Sequence, residues 1–349
     1  MARSSASEDA AGRVNIALFD SSTLVGKGIK THLKRRRFPI GGMRAFDTGA
    51  VEAGGNLTEF DGEAMLAGRP DSEEMSQVDL AFFCGGPGTG EPFLEWPERG
   101  GFVAIDLTLS ANRREGIPVV NALVNPDSSK PRRGLLASPH PVSQMLSTFL
   151  APLVRRFKVE DVVSMILQPA SEAGQGGIEE LYRQTVGVLN FTEVPKEQFG
   201  RVLAFNAFPA SLGPGNRLGE ASIAREIASI LGAPTFPHAV RVLLSPVFHC
   251  HSLLCRVKLH EAVELAKVRD AMTSQEGLRH PERPEVATPA ELAGEEGIFV
   301  VEVSADSSAP GSFWFWAVTD NLAAGTAENA VRIAEQLLRT GALGKRGRP

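Results

Sequence analysis

The chain has 349 residues, of which 43% are hydrophobic and 22% charged, a composition typical of globular proteins and long enough for two domains. Lys and Arg total 36 and Asp and Glu total 41, so the formal net charge of −5 gives no general attraction for nucleic acid or anionic membranes. The apolar runs are far shorter than the roughly 20 residues of a membrane span, and residues 1–12 lack the apolar core of a signal peptide. We therefore expect a soluble, cytoplasmic protein with a disordered lead at 1–12 and with no nucleic-acid or membrane partner.

Residues 13–137 alternate short apolar runs with helical or turn segments, which favours a mostly parallel sheet with helices on its faces. The strand Val14–Phe19, a Ser-rich turn and a helix over Leu24–Leu33 open a βαβ unit. Further strands are predicted at Met43–Phe46, Val78–Cys84, Phe102–Leu107 and Pro118–Val120. The first domain is therefore predicted to be of the Rossmann type.

From residue 138 the pattern changes to longer strands and helices, which predicts an α+β domain over residues 138–319. Its helices are predicted at Gln144–Phe157 and Ile178–Leu189, and its strands at Val159–Leu167, Val240–Phe248, Leu253–Leu259, Gly297–Val303 and Ser312–Val318. A bend is expected at His249–Ser252 and a Pro-rich loop at Gln275–Pro289. A last helix over Gly325–Leu338, within residues 320–349, is expected to complete the first domain.

The turn after the first strand reads Asp20-Ser21-Ser22-Thr23-Leu24-Val25-Gly26. Dinucleotide folds need glycines here, because the backbone turns tightly and approaches the pyrophosphate. Only Gly26 is kept, at the position where helix and strand pack closely. Asp20 stands in the first glycine position and would place a carboxylate at the pyrophosphate, so the turn argues against the usual binding pose.

Two other features have cofactor-binding interpretations. Gly85 and Gly86 begin a Gly-rich turn after a predicted strand, although Pro87 removes an amide donor; a plain strand-to-helix loop is the alternative. Asp47 follows the second strand, where an acidic side chain binds ribose hydroxyls and favours NAD over NADP; an Asp in a surface turn is the alternative.

The order of these segments resembles the aspartate-semialdehyde dehydrogenase family from Val14 to about Leu338. The segments that carry the resemblance are Phe38–Gly41, Val120–Pro126, Gln168–Gly174, Leu203–Pro209, Pro246–His251, Trp316–Leu322 and Gly325–Ala327. The resemblance implies a homodimer formed through the second domain, NAD or NADP as cofactor and a small-molecule ligand. The family interconverts aspartyl phosphate and aspartate semialdehyde in amino-acid biosynthesis.

The resemblance also assigns roles to single residues. It implies that Gln168 orients the acyl group, that His251 is the acid–base histidine and that Glu220 contacts the substrate. Asn321 matches a segment that closes over the cofactor in the family, with turn formation and helix packing as the alternative.

The chain departs from the family at the nucleophile, a cysteine that a helix N-terminus activates. The matching stretch, Ala137–Gln144, has no cysteine, and Leu244 stands where the family has an arginine for the substrate carboxylate. In this the chain resembles the Usg-type paralogues, which keep the segment Phe199–Asn206 without the cysteine. We therefore expect a catalytically silent paralogue; the alternatives are an active dehydrogenase with displaced groups and a regulator that binds a family ligand.

Other residues have both a catalytic or metal-binding interpretation and a structural one. Ser143 near a helix start, with His251 as base, would form a hydrolase-like pair, and a helix cap is the alternative. His249 and His251 would share a face of one strand and suit zinc, but spacing supplies no further ligand, so no metal site is predicted. The three cysteines, Cys84, Cys250 and Cys255, are expected to be reduced.

Overall fold

The computed structural model of the chain describes residues 12–49, 57–129, 133–214, 219–232 and 236–343. The expected disordered lead lies outside the described residues, apart from Gly12. The described residues form two compact units. Unit 1 comprises the described residues within Met1–Pro139 and Thr326–Pro349, and unit 2 comprises those within His140–Gly325. No helix among the described residues is both long enough and apolar enough to cross a membrane.

The α-helices of the described residues are α1 (Leu24–Arg35), α2 (Trp96–Gly100), α3 (Pro141–Arg156), α4 (Gly174–Leu189), α5 (Glu220–Ile230), α6 (Leu265–Thr273) and α7 (Thr326–Arg339). The strands are β1 (Val14–Phe19), β2 (Ile40–Phe46), β3 (Leu57–Phe60), β4 (Glu63–Leu66), β5 (Leu80–Phe83), β6 (Val103–Asp106), β7 (Gly134–Ala137), β8 (Val159–Gln168), β9 (Phe208–Pro209), β10 (His238–Leu244), β11 (His251–Leu259), β12 (Leu278–Arg279), β13 (Ile298–Ala305) and β14 (Ser312–Thr319).

Unit 1 is built on a parallel sheet with the strand order β2-β1-β5-β6-β7. Strands β5 and β6 are buried along their whole length, as expected for a parallel sheet that is covered on both faces. The chain runs from β1 through α1 to β2 on one side and returns to β5 on the other side of β1. The predicted Rossmann-type sheet is confirmed, and its topological switch point lies between the carboxyl ends of β1 and β5.

The last helix packs on the first helix of the same unit. Ala330, Val331 and Leu337 of α7 are buried in one core with Ile29 and Leu33 of α1. At the end of this contact, Arg36 donates two hydrogen bonds, of 2.9 and 2.7 Å, to the carboxylate of Glu335. The expectation that the C-terminal helix returns to the first domain is confirmed.

Unit 2 contains a mixed sheet with the order β12-β13-β14-β11-β8-β10-β9. Helix α3 packs on one face of it, with the Phe149 ring 5.2 Å from the Phe315 ring in an edge-to-face contact. Burial alternates along β8, where Val162 and Ile166 are buried and Val163 and Met165 are exposed. One face of the sheet thus forms the core, and the other face is open along β8.

Some elements differ from the sequence-based expectation. Pro118–Val120 is not a strand, since only Val119 forms an isolated bridge, to Ala137, and the sheet ends instead on β7, which begins at a glycine and was not predicted. The hairpin of β3 and β4 and the helices α5 and α6 were also not predicted. The strand expected at Val240–Phe248 ends at Leu244, because Pro246 has no backbone N–H to donate to a ladder.

The turn into α1 requires a residue without a side chain at position 26. A Cβ atom on Gly26 would lie 2.7 Å from the Cα atom and 2.8 Å from the carbonyl carbon of Ser21, so the backbone itself would have to move. We predict that Gly26→Ala lowers the free energy of unfolding by about 1–3 kcal/mol, the usual cost of overpacking. Urea unfolding followed by circular dichroism measures this.

Gly86→Ala is the matched control, because a Cβ atom at Gly86 meets no atom within 4 Å. Equal stability of the two variants would contradict the packing argument.

Candidate active site

The turn between β1 and α1 is closed by its own hydrogen bonds. Thr23 is the N-cap of α1, and its Oγ1 accepts a 3.0 Å hydrogen bond from the backbone N–H of Gly26. The same hydroxyl donates to the carbonyl oxygens of Asp20, at 2.9 Å, and Cys84, at 2.8 Å. An amide that would face a bound phosphate is therefore already occupied by the chain.

Asp20 fills the centre of this turn. Its backbone has a φ of 56°, and its buried carboxylate accepts hydrogen bonds from the N–H (2.9 Å) and the Oγ1 (2.8 Å) of Thr48. Burial raises the pKa of Asp20, and the hydrogen bonds from Thr48 oppose this shift. A Cβ atom at Gly85 would lie 2.3 Å from Asp20 Oδ2, so the carboxylate rests against the second glycine turn.

The other cofactor candidates of unit 1 have simpler surroundings. Asp47 accepts a 2.8 Å hydrogen bond from the N–H of Gly49 in a tight turn, and Gly86 faces open space.

The residues at the first turn do not fit a dinucleotide diphosphate, because a carboxylate and a capping hydroxyl take the places of the glycines that would admit it.

A histidine caps the helix that follows the segment in which the resemblance implies a nucleophile. His140 is the N-cap of α3, and its Nδ1 accepts a 3.1 Å hydrogen bond from the N–H of Val142. Its own backbone N–H donates to Glu226 Oε2 at 3.1 Å. Ser143 is therefore not the cap: it is the third residue of the helix, and it is buried.

His251 is the first residue of β11 and is buried. Its Nε2 lies 3.7 Å from Glu172 Oε2. Burial and the nearby His140 lower the pKa of His251 to about 3. The imidazole is therefore neutral at pH 7, and with a pKa this low it is a weak base at that pH.

Two more residues of the predicted site lie in unit 2 with His251. Gln168 is the last residue of β8 and is buried. Because Ser252 pairs with Leu167, Gln168 and His251 occupy neighbouring positions on the face of the sheet that packs against α3, which we call the inner face. Asn321 accepts a 3.0 Å hydrogen bond from the Ser171 hydroxyl. Asn321 thus belongs to a different unit from the other cofactor candidates.

Glu220 is occupied by contacts within the protein. Its carboxylate accepts hydrogen bonds from Arg241 at 2.8 Å and from the N–H of Val242 at 3.1 Å, and so ties α5 to β10. Its role as a substrate contact stays a prediction. Leu244, where the resemblance implies an arginine, is fully buried in an apolar cluster with Leu181 and Phe208.

All three cysteines are buried thiols. Burial raises the pKa of Cys84 strongly and the pKa of Cys250 and of Cys255 to about 12. Cys250 precedes β11 and packs with Val318 on the outer face of the sheet, whereas His251 lies on the inner face. None of the three therefore has the environment that stabilises a thiolate.

The zinc hypothesis fails on local geometry. His249 lies before β11, and Cys250 between the two histidines has a φ of 71°, so His249 and His251 do not share the face of one strand. Among the described residues, no group of three or more His, Cys, Asp and Glu side chains is arranged to hold a metal ion.

Comparison with known proteins identifies the family. Residues 150–324 match the dimerisation domain of semialdehyde dehydrogenases. Over 335 residues the chain is 28% identical to the aspartate-semialdehyde dehydrogenase of Rickettsia conorii, covering 93% of this chain and 98% of that protein. It is also 28% identical over 333 residues to the USG-1 protein homolog of Pseudomonas aeruginosa, with coverage of 93% and 98%.

Solved structures agree with this match. Aspartate semialdehyde dehydrogenase II of Vibrio cholerae, solved in complex with ASA, is 25% identical with a TM-score of 0.85, covering 94% of this chain and 98% of that one. The Candida albicans aspartate semialdehyde dehydrogenase, solved with NADP, has the same fold at 15% identity and a TM-score of 0.69, covering 95% and 100%. The fold and the site thus define an α/β protein with a Rossmann-type sheet and a dimerisation domain. The chain belongs to the aspartate-semialdehyde dehydrogenase family.

Burial of neutral His251 has a consequence for stability. Its pKa is about 3 in the folded protein and near 6.5 when solvated, so below pH 6.5 the unfolded state binds a proton that the folded state does not. We predict that lowering the pH from 7 to 5 decreases the free energy of unfolding of the wild type by about 2 kcal/mol more than it decreases that of His251→Gln. Urea titrations at the two pH values measure the difference.

His238, whose pKa burial lowers to about 4, contributes equally to both proteins. Replacement of the exposed His280 by Gln is the control and should leave the pH dependence unchanged. A His251→Gln variant with the same pH dependence as the wild type would refute the neutral, buried histidine.

Proposed function

We propose that this chain is a catalytically silent member of its family, which keeps the fold and lacks the thiol chemistry of the phosphorylating aldehyde reaction. One observation carries the proposal: helix α3, which by the resemblance corresponds to the family's nucleophile segment, is capped by His140, while all three thiols of the chain lie buried elsewhere. The reaction needs a thiolate that attacks a carbonyl carbon and then releases the acyl group. Thiols whose pKa is raised by burial do not supply one at neutral pH.

Further support comes from groups around the same site. In the family an arginine binds the substrate carboxylate. The corresponding residue here is the buried, apolar Leu244. His251 and Gln168 are both present on the inner face, so the site retains an acceptor and an amide without a nucleophile or a carboxylate clamp.

The activity test is a direct one. Purified protein mixed with aspartate semialdehyde, phosphate and either NAD or NADP is expected to form no reduced nicotinamide above a protein-free blank. Absorbance of the reduced nicotinamide measures this. Turnover that His251→Ala abolishes would instead establish the alternative, an active dehydrogenase with displaced catalytic groups.

A thiol titration accompanies this experiment. In the native protein the three buried cysteines are expected to resist a disulfide reagent that reacts at once with an engineered Ser229→Cys, because Ser229 lies exposed on α5. A native cysteine that reacts as fast as the control would remove the basis of the proposal.

We also propose that the chain forms a homodimer through the open face of the unit 2 sheet. Leu254 of β11 pairs with Met165 of β8 on one side and with Trp316 of β14 on the other, so the three side chains form one row on that face. Met165 and Leu254 are exposed, and both lie in the stretch that matches a dimerisation domain. A second copy of the chain is the occupant that this match favours.

Charges introduced into this row test the dimer. The double variant Met165→Glu, Leu254→Glu is expected to elute as a monomer in size-exclusion chromatography with light scattering, while the wild type elutes as a dimer, because two buried carboxylates per protomer would go unpaired. Leu66→Glu, on the exposed edge of the β3–β4 hairpin, is the control and should leave the dimer intact. A monomeric wild type, or a dimeric double variant, would contradict this interface.

A further inference from the structure

We propose that Asp20 is the residue that excludes a dinucleotide diphosphate from unit 1, and that its replacement by glycine admits one. Asp20 stands directly after β1, at the switch point where open parallel sheets bind their ligands. The proposal concerns ligand binding alone and does not depend on the absence of thiol chemistry in unit 2.

The backbone of the turn already has the shape that a glycine would give it. Asp20 has a φ of 56°, in the left-handed region that glycine enters without cost and that Asp and Asn tolerate better than other residues. Gly26 keeps α1 packed against the turn. The turn therefore differs from a dinucleotide-binding turn mainly in its side chains.

The Asp20 side chain closes the space in front of this backbone. Its carboxylate is fixed by two hydrogen bonds to Thr48, which follows β2, and it rests against Gly85, which follows β5. One side chain thus links the carboxyl ends of three neighbouring strands. A diphosphate laid across these strand ends would have to displace it.

The negative charge of Asp20, as well as its bulk, opposes binding of a diphosphate. Asp47, which follows β2, lies close enough to Asp20 to raise its pKa further, so a second carboxylate adds negative charge near the turn. Like charges brought together in a confined site cost several kcal/mol, as an order of magnitude. Thr23 adds to the exclusion, since its hydroxyl already takes the Gly26 N–H.

Calorimetric titration of NADP and of NAD into the wild type, Asp20→Gly and Asp20→Asn tests the proposal. Asp20→Gly is expected to bind at least about tenfold more tightly than the wild type, because both the charge and the bulk are removed. Asp20→Asn keeps the bulk and loses the charge, so an intermediate affinity is expected. Thermal melting by circular dichroism establishes that each variant is folded.

Asp61→Gly is the matched control. Asp61 also has a positive φ, of 54°, and lies in unit 1, but its side chain is 68% exposed in the β3–β4 turn. This variant removes one carboxylate from the same unit and should bind like the wild type.

A wild type that already binds as tightly as Asp20→Gly would overturn the proposal, and so would a folded Asp20→Gly with no gain in affinity. If Asp20→Gly does not fold, the Asp20→Asn variant decides in the same way, since loss of the charge alone must then improve binding. These outcomes are distinguishable from those of the activity test, because a gain in dinucleotide binding without turnover leaves the silent-enzyme proposal standing.

Discussion

Loss of hydration at the strand ends shifts the pKa values of titratable groups in both candidate sites. In unit 1, burial raises the pKa values of Asp20, Asp106 and Cys84, which follow or end three neighbouring parallel strands. In unit 2 it raises the pKa of Cys250 and lowers the pKa of His251. Each shift favours the neutral form, and hydrogen bonds oppose it at Asp20 and Asp106. Acyl transfer through a thiolate needs the opposite condition, an ionised sulfur.

The helix N-termini complete this pattern, since both relevant helices are capped by the chain itself. Thr23 caps α1 with its hydroxyl, and His140 caps α3 with its ring nitrogen. A free helix N-terminus stabilises a phosphate or a thiolate through its unpaired N–H groups and its dipole. When a side-chain acceptor takes one of these N–H groups, the helix is stabilised and its capacity for an external anion is reduced. In this protein the helix ends therefore serve the fold more than they serve a ligand.

The sequence predicted the parallel sheet of unit 1 well, because uninterrupted apolar strands such as Val14–Phe19 and turns between them are local signals. It also located Asp20 and His251. It did not predict their partners: Thr48 lies 28 positions from Asp20 along the chain, and such pairings depend on tertiary structure. The burial of His251, which sets its pKa, is likewise a tertiary property.

Local sequence patterns did not predict the structure where one residue type occurs in two kinds of structural element. Prolines flank His140, the N-cap of α3; a proline is typical of loops, but it is also common in the first turn of a helix, where its missing N–H costs nothing. The short strand β7 begins at Gly134, a residue that is depleted in strands, and its pairing with β6 across a long connection left no local pattern.

In the first turn, one glycine position of a dinucleotide-binding turn is kept and two are replaced, because the positions have different structural roles. Gly26 is needed by the fold, since any side chain there would meet the Ser21 backbone whether or not a cofactor binds. Positions 20 and 23 need a glycine only when a ligand must approach the backbone, and here they carry an aspartate and a threonine that hydrogen-bond within the protein. A Rossmann-type turn can therefore keep its shape after losing the space for its ligand. Packing preserves the strand and the helix, while the chemistry of two side chains determines whether the turn accepts an anion.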